Sequence, residues 1–359
     1  MPLNLGRSAL RLVLDAQRRL TPQRRLVLLP DYVCPSVVST VRLAGLEPVP
    51  VPVAADDLNM LPEAVSSMIS HETLAVIAVS MYGVPVPMEE IAASCRRSGA
   101  ILVDDAAHAV GIRRGDLLLG CGGDAGLLSF NQSKTITGGS IEGGGLLIIN
   151  NPALQKEIFD NLYRMARAAG RPGEVLSFVL NHLCDRFAYP PEVYTGQLRR
   201  RFGLPVPARP EIGPALISNA AASAVLAQLP RLPAILDGRI RIAGWYGELL
   251  PRIEELEFPQ GRPGRYLSRI LIRLPPGTEA KALQDALRTH GVRTRLGYPD
   301  WARQWKPKAP ELIELPMRLA MSKPDVAKVC GALAKELTRL ARGQRQSDGR
   351  AWGAVDEER

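Results

Sequence analysis

The sequence predicts an α/β protein with a mainly parallel β-sheet, followed by a smaller α+β domain. An uninterrupted apolar run at 74–79 is typical of a parallel strand that is covered on both faces. A helix is predicted at 88–98, where apolar residues recur at helical spacing before Gly99, and an apolar strand follows at 101–103. This strand–helix–strand order predicts a parallel crossover, and the ligands of such sheets bind at the carboxyl ends of the strands.

The same patterns place the neighbouring elements. Residues 6–20 are typical of an amphipathic helix, and 26–29 of a short buried strand that ends at Pro30. Alternating Pro and Val at 47–53 favour an extended segment at the edge of the sheet. Further strands are predicted at 125–130 and 144–149, and a further helix at 151–169. Another helix is predicted after a cap at Ser218, and Pro230 and Pro233 should bend or break it.

We predict a large domain at 1–235, a smaller domain at 236–342 and a polar, disordered tail at 343–359. Within the large domain, 170–212 is predicted to be an insertion: a lid, a dimer arm or a solvated loop-and-helix segment. The small domain is expected to hold a strand at 266–274, a helix that is capped by Thr278 and ends at Gly291, and a last helix from Ser322.

Composition excludes several classes of protein. The five cysteines are scattered without a C-x-x-C pair and the four histidines have no metal-ligand spacing, so we expect a reducing cytoplasm, no disulfide framework and no metal site. The net charge of +9 favours an anionic substrate, a nucleic acid or an acidic membrane surface over a neutral partner. No nucleic-acid-binding motif, signal peptide or membrane span of about 18 residues is evident, so we expect neither nucleic acid nor membrane association.

One lysine and one acid carry the candidate chemistry. Lys134 lies in a loop of small residues, and Asp105 follows the strand at 101–103. A lysine amine can form a Schiff base with the aldehyde of pyridoxal phosphate (PLP), and an acid can keep the pyridine nitrogen protonated. The 29 residues between them leave room for one further strand, so both would lie at one edge of the sheet. A surface lysine, and an acid that binds a ribose or magnesium, are the alternatives.

A phosphate group needs its own ligands. Ser129, five residues before Lys134, could donate its hydroxyl. Gly6, Arg7 and Ser8 open a helix whose N-terminal amides and positive dipole favour an anion. Both signals are general features of many proteins.

Other polar side chains follow the predicted strands. His108 comes one turn after Asp105 and could stack on a ring, orient Asp105 or simply be a buried histidine. Tyr32 and Cys34 follow the strand that ends at Pro30 and could line a pocket, although inert core cysteines are common. Asp104 should face away from Asp105 because side chains alternate along a strand.

Motifs along nearly the whole chain resemble those of the DegT/DnrJ/StrS family of PLP-dependent sugar aminotransferases, which have the aspartate aminotransferase fold (fold type I). The Gly-Thr-x-Ala-Leu turn of the family is similar to Gly6-Arg7-Ser8-Ala9-Leu10, and its Glu-Asp-Ala-Ala-Gln/His motif to Asp104-Asp105-Ala106-Ala107-His108. Its Ser-Phe-x-x-x-Lys motif is similar to the stretch from Ser129 to Lys134, and its Gly-Glu-Gly-Gly to Glu142-Gly143-Gly144. Met81-Tyr82-Gly83, the helix from Ser218-Asn219 to Gln228-Leu229, and Gly291-Val292-Arg293-Thr294 also match family segments.

The resemblance implies a three-layer fold-type-I enzyme that uses PLP. It makes Lys134 the Schiff-base lysine, Asp105 the pyridinium partner and His108 the residue that stacks on the ring. Ser129 and the amides of Arg7 and Ser8 would hold the phosphate, and the substrate residues would be Tyr32, Cys34, Tyr82 and Asn219. A homodimeric aminotransferase that moves an amino group from glutamate or glutamine to a keto-sugar, or a related ketone, through an aldimine on Lys134 is therefore expected.

Departures from the family motifs keep alternatives open. Pro214-Ala215-Leu216-Ile217 stands where the family has Asn-x-Arg-Met, and Leu296-Gly297-Tyr298-Pro299 lacks the usual histidine. Both favour, as an alternative, another PLP-dependent reaction, such as a lyase or a condensation on a small metabolite. Few residues precede the Gly6 turn, which favours a degenerate, non-enzymatic partner protein. The basic segment 196–212 suggests docking on a membrane or polyanion.

Overall fold

The computed structural model describes residues 1–132, 134–139, 142–161, 176, 213–253, 256–298, 301 and 312–353, the last of these by backbone alone at 341 and from 343 onward. The chain divides into two compact units, Met1–Val53 with Asn59–Ala234, and Ala54–Leu58 with Ile235–Arg359. The predicted insertion at 170–212 and the basic segment 196–212 lie outside the described residues, apart from Leu176.

A seven-stranded sheet forms the centre of the first unit, and it is mainly parallel as predicted. The strands are β1 (Pro2–Leu3), β2 (Leu26–Pro30), β3 (Glu47–Val51), β4 (Thr73–Val79), β5 (Ile101–Asp105), β8 (Ala125–Ser129) and β9 (Gly145–Ile149), with a hairpin of β6 (Arg113–Arg114) and β7 (Leu117–Leu118) between β5 and β8. The strand order is β1-β9-β8-β5-β4-β2-β3. All pairs from β3 to β8 are parallel, whereas β9 is antiparallel to both of its neighbours. The predicted edge position of the Pro–Val segment is confirmed, since β3 is the outermost strand.

Hydrophobic burial explains the centre of this sheet. Every residue of β4 is buried, as expected for a parallel strand with both faces covered. On one face, Ile91 and Cys95 of the helix Met88–Ser98 join a buried cluster with Val76 and Leu102. Gly99 ends this helix in the left-handed conformation, at φ 72°, where a side chain would be strained.

Six α-helices are described in the first unit. They are α1 (Gly6–Leu20), α2 (Pro35–Leu43), α3 (Pro62–Met68), α4 (Met88–Ser98), α5 (Pro152–Asp160) and α6 (Asn219–Gln228). The predicted helix at 151–169 is described only as far as α5, because 162–169 lie outside the described residues. The predicted cap at Ser218 is confirmed, because its hydroxyl accepts a hydrogen bond from the amide of Ala221 at 3.2 Å. A 3₁₀ turn at Leu229–Arg231 then separates α6 from α7 (Leu232–Leu249), as the prolines there predict.

The second unit is smaller and mixes helices with an antiparallel sheet. Its strands β10 (Ile270–Arg273), β11 (Arg295–Leu296) and β12 (Leu312–Leu315) are arranged in the order β10-β12-β11, beside α8 (Ala280–Thr289) and α9 (Lys323–Gly353). The predicted strand at 266–274 is therefore shorter than expected.

Two further details of this unit differ from expectation. The predicted cap at Thr278 is wrong: Glu279 precedes the helix, and the Thr278 amide closes a turn onto the carbonyl of Pro275 at 3.1 Å. Helix α9 overlaps the tail for which the sequence predicts disorder, so that disorder stays a prediction. Across the described part of the chain, no helix combines the length and the apolar character needed to cross a membrane.

Candidate active site

Lys134 lies in a compact loop between β8 and β9. Its side-chain nitrogen is 3.0 Å from Nε2 of His108, and its backbone amide donates to the carbonyl of Asn131 at 3.1 Å. The Gly138 amide donates to the carbonyl of Phe130 at 2.8 Å and closes the loop. These bonds hold the lysine amine at the carboxyl end of the sheet, where the sequence predicts a ligand site.

Asp105 is the last residue of β5, and its side chain is almost fully buried. Burial raises the pKa of this carboxyl to about 6, because a charged group loses hydration there. The hydrogen bond that it accepts from the Ala107 amide, at 2.9 Å, and the nearby charge of Lys134 lower the pKa, while Asp104 raises it. Lys134 and Asp105 therefore share one electrostatic environment.

The neighbouring acid, Asp104, has a different set of contacts. Its Oδ2 accepts hydrogen bonds from the amides of Gly120 at 2.8 Å and Gly122 at 3.0 Å. These bonds hold the segment after the β6–β7 hairpin. The Asp104 carboxylate thus binds backbone amides. Its different surroundings fit the alternation of side chains along a strand, which turns it away from Asp105.

His108 is buried against an aromatic pair. The ring of Tyr82 meets the imidazole edge to face, with centroids 5.3 Å apart and planes at 78°. The hydroxyls of Tyr82 and Tyr32 are 2.9 Å apart, within hydrogen-bond distance. Lys134, His108, Tyr82 and Tyr32 therefore form one continuous chain of contacts.

The backbone at Tyr82 is unusual and has an identifiable cause. Tyr82 is fully buried and has φ 52°, a left-handed conformation that a bulky residue rarely adopts. Buried Asn59 holds this turn: its Oδ1 accepts from the Met81 amide at 3.0 Å, and its Nδ2 donates to the carbonyls of Val84 at 3.2 Å and Pro85 at 3.3 Å. A turn held in this way fixes the ring that packs on His108.

The start of α1 comes very close to the end of β8. A Cβ on Gly6 would be 2.9 Å from the Cβ of Ser129 and 3.3 Å from its Oγ, so only glycine allows this approach. Arg7 is exposed, and the Ser8 hydroxyl donates to Oδ1 of Asn4 at 2.8 Å. The Ser8 amide also donates to the carbonyl of Leu5, at 3.2 Å. The Arg7 amide and buried Ser129, rather than Ser8, are thus the groups suited to an anion.

Sequence reasoning missed Asn4, which is completely buried. Its Nδ2 donates to Oε1 of Glu142 at 3.0 Å and to the carbonyl of Gly213 at 3.1 Å, and its Oδ1 accepts from Ser8 and, at 3.2 Å, from the Ala215 amide. Asn4 therefore ties the start of α1 to two distant segments. A polar residue between two apolar ones, Leu3 and Leu5, is the signal that could have indicated it.

The remaining predicted site residues lie at helix starts. The Cys34 thiol is 3.2 Å from the Ser36 hydroxyl, immediately before α2. Asn219 is the first residue of α6. Their roles toward a substrate stay predictions. Within the described ranges, no group of His, Cys, Asp and Glu side chains is arranged to hold a metal ion.

Comparison with known proteins gives the family and the fold. The model of the DegT/DnrJ/EryC1/StrS aminotransferase family matches residues 2–334. Among solved structures, PseC of Helicobacter pylori, an aminotransferase in pseudoaminic acid biosynthesis, is 17% identical with a TM-score of 0.71, covering 94% of this chain and 86% of its own. DesI, solved in the presence of its TDP-sugar product, is 20% identical with a TM-score of 0.71, covering 97% and 83%. The aminotransferase TlmJ of Streptoalloteichus hindustanus is 23% identical with a TM-score of 0.70, covering 95% and 86%. At these identities the structural likeness concerns the fold.

Proposed function

Because the chain belongs to the DegT/DnrJ/EryC1/StrS aminotransferase family, we propose that it moves an amino group from glutamate or glutamine to a keto-sugar or a related ketone, with Lys134 as the covalent anchor of the cofactor. Aminotransferases of this family depend on PLP, so PLP is the cofactor of this enzyme. The observation that carries the proposal is the position of Lys134, which lies 3.0 Å from His108 and is electrostatically coupled to Asp105.

The residues present fit PLP. A buried carboxylate is costly unless an opposite charge accompanies it, and the pyridinium of PLP would supply that charge to Asp105. The contact between Gly6 and Ser129 leaves the N-terminus of α1 beside a buried hydroxyl, which suits a phosphate. We propose that Asp105 accepts the pyridinium N–H and that Ser129 with the Arg7 amide holds the phosphate, since the Ser8 amide already donates to the carbonyl of Leu5.

When bound, PLP supplies an electron sink for the bonds at the carbon that carries the amino group. Lys134 then works in two ways. As a nucleophile, its Nζ would anchor the cofactor; as a base and an acid, the same nitrogen would take a proton from the α-carbon of the donor and give a proton to the corresponding carbon of the acceptor. Nε2 of His108 lies at hydrogen-bond distance from this amine, 3.0 Å, and keeps it within reach. Asp105, when ionised, holds the ring nitrogen in its protonated form.

We propose a sugar as the acceptor because two of the similar solved structures are linked to sugar substrates by their descriptions. PseC acts in the biosynthesis of pseudoaminic acid, and DesI was solved with a TDP-sugar product. In this chain the segment 214–217 is apolar where the family motif is polar, and the backbone of Ala215 is bonded to Asn4. We propose that Tyr32, Cys34 and Asn219 provide substrate contacts, and that Tyr82, which is fully buried, acts on the substrate through its hydrogen bond to the Tyr32 hydroxyl. We further propose a cytoplasmic homodimer, as the family resemblance implies.

Reduction with borohydride tests the anchor directly. The purified protein is loaded with PLP, reduced and digested, and the labelled lysine is mapped by mass spectrometry. We expect the label on Lys134 and its loss in Lys134→Ala, while Lys156→Ala, at an exposed lysine, keeps it. A label on another lysine refutes the anchor. Transfer from glutamate or glutamine to keto-sugars, followed as release of the oxo acid, then tests donor and acceptor.

A further inference from the structure

The last residue of α6, Gln228, is bonded to the loop that carries Lys134. Its Oε1 accepts from the Thr137 amide at 3.2 Å, and its Nε2 donates to the Thr137 carbonyl at 2.7 Å. The same Nε2 donates to the carbonyl of Ala224, one turn earlier in α6, at 2.6 Å. Both hydrogens of the amide are thus used, and its orientation relative to α6 is fixed.

A second contact brings α6 against the same loop. A Cβ built on Gly138 would lie 2.9 Å from the carbonyl oxygen of Ala221 in α6 and would collide with the carbonyl of Gly143. The loop backbone therefore packs directly on the helix backbone at the residue after Thr137. Two independent contacts, one by hydrogen bonds and one by close packing, join α6 to the loop.

We infer that Gln228 is a positioning residue that sets where the Lys134 amine lies relative to His108 and Asp105. This inference rests on the proposed role of Lys134. Thr137 is three residues after the lysine. Gln228 forms hydrogen bonds with both the N–H and the C=O of Thr137, as a neighbouring β-strand would. Loss of these bonds loosens the part of the loop that follows Lys134, which then keeps the backbone bond from the Gly138 amide to the carbonyl of Phe130, while the bond to Asn131 holds the backbone of Lys134 itself. The amine then samples more positions, and its proton transfers slow.

Two substitutions of Gln228 that remove different numbers of hydrogen bonds separate an effect on the position of Lys134 from an effect on the stability of the fold. Gln228→Met keeps the length of the side chain and removes all three bonds; Gln228→Glu keeps an acceptor for the Thr137 amide and removes both donors. The control is Gln284→Met, because Gln284 is also half-buried and its Nε2 donates to a backbone carbonyl, that of Thr294, at 3.1 Å in the second unit. Each variant is loaded with PLP and compared with the wild-type holoenzyme.

Three readouts are compared. Hydrogen–deuterium exchange at the Thr137 amide should rise about fivefold to tenfold in Gln228→Met, less in Gln228→Glu, and not in Gln284→Met. The pH midpoint of the cofactor absorbance band should shift in the Gln228 variants only. Turnover should fall by about tenfold in Gln228→Met, with partial recovery in Gln228→Glu.

These experiments distinguish failure of the Gln228 inference from failure of the proposed function. If borohydride fails to label Lys134 in the wild type, the anchor assignment fails. If Lys134 is labelled in the wild type but exchange at Thr137 and the absorbance midpoint are the same in Gln228→Met, the inference is overturned. A lower melting temperature with an unchanged midpoint likewise overturns it, because Gln228 would then be structural only.

Discussion

The amine of Lys134 and Nε2 of His108 lie 3.0 Å apart, although 26 residues separate them in the sequence. A charged amine can only donate, so Nε2 then accepts. The neutral imidazole that does so carries its one proton on Nδ1. Protonation of both groups would place two cations in contact. The contact therefore links the protonation state of Lys134 to that of His108.

We predict that this link depends on an acceptor at position 108. His108→Gln retains one and should keep turnover within about tenfold of the wild type, whereas His108→Phe retains only the ring and should lose about a hundredfold. The absorbance band of the holoenzyme, titrated with pH, checks the mechanism. Its midpoint should move further in His108→Phe than in His108→Gln. Equal effects of both substitutions would contradict the hydrogen-bond role.

Asp105 should make the cofactor-free protein less stable as the pH rises. Burial raises the pKa of its carboxyl from 3.8 to about 6, so the folded state binds this proton more tightly than the unfolded chain. The free energy of unfolding therefore falls between about pH 4 and pH 6, and this loss is complete above pH 6. At pH 7, apo Asp105→Asn should be more stable than apo wild type by about 3 kcal/mol, and at about pH 3, where the carboxyl is mostly protonated in both states, the difference should largely vanish.

Urea unfolding of the apo proteins at both pH values measures this difference, and Asp237→Asn, at an exposed position, controls for the lost negative charge. The same Asp105→Asn protein should transfer amino groups far more slowly, because an amide does not keep the ring nitrogen protonated. An apo variant that is less stable at pH 7 would contradict the cost of burying Asp105.

The approach of Lys134 to Asp105 could be anticipated from the sequence, whereas the groups that hold it there could not. Parallel strands end at one edge of a sheet, so two polar residues at neighbouring strand ends must come close. Asn4, Asn59 and Gln228 instead bond to backbone groups that are distant in the sequence; Gln228 and Thr137, for example, are 91 residues apart. Such bonds depend on tertiary packing and leave no periodic signal. The misplaced cap at Thr278 has a local cause, because that residue closes a turn.

Gly6 should be essential for holding the phosphate. In Gly6→Ala the new methyl group would be 2.9 Å from the Cβ of Ser129, so helix and strand must separate, at a cost of about 1 to 3 kcal/mol. The amides at the start of α1 then lie further from the phosphate. The dissociation constant of PLP, measured by absorbance titration, should therefore rise at least about tenfold. Gly244→Ala is the control, since nothing lies within 4 Å of its Cβ position. Unchanged PLP affinity in Gly6→Ala would exclude the helix start as the phosphate site.

The hydroxyl and the ring of Tyr82 should have separable effects. The hydroxyl is 2.9 Å from that of Tyr32, and the ring packs edge to face on His108. In a double-mutant cycle of Tyr32→Phe and Tyr82→Phe, unfolding in urea should give a coupling of about 1 kcal/mol, as for an ordinary hydrogen bond. Tyr82→Phe keeps the ring and should leave the pH midpoint of the cofactor band unchanged, whereas Tyr82→Leu removes it and should shift the midpoint. If Tyr82→Phe shifts the midpoint as far as Tyr82→Leu does, the hydroxyl rather than the ring acts on His108.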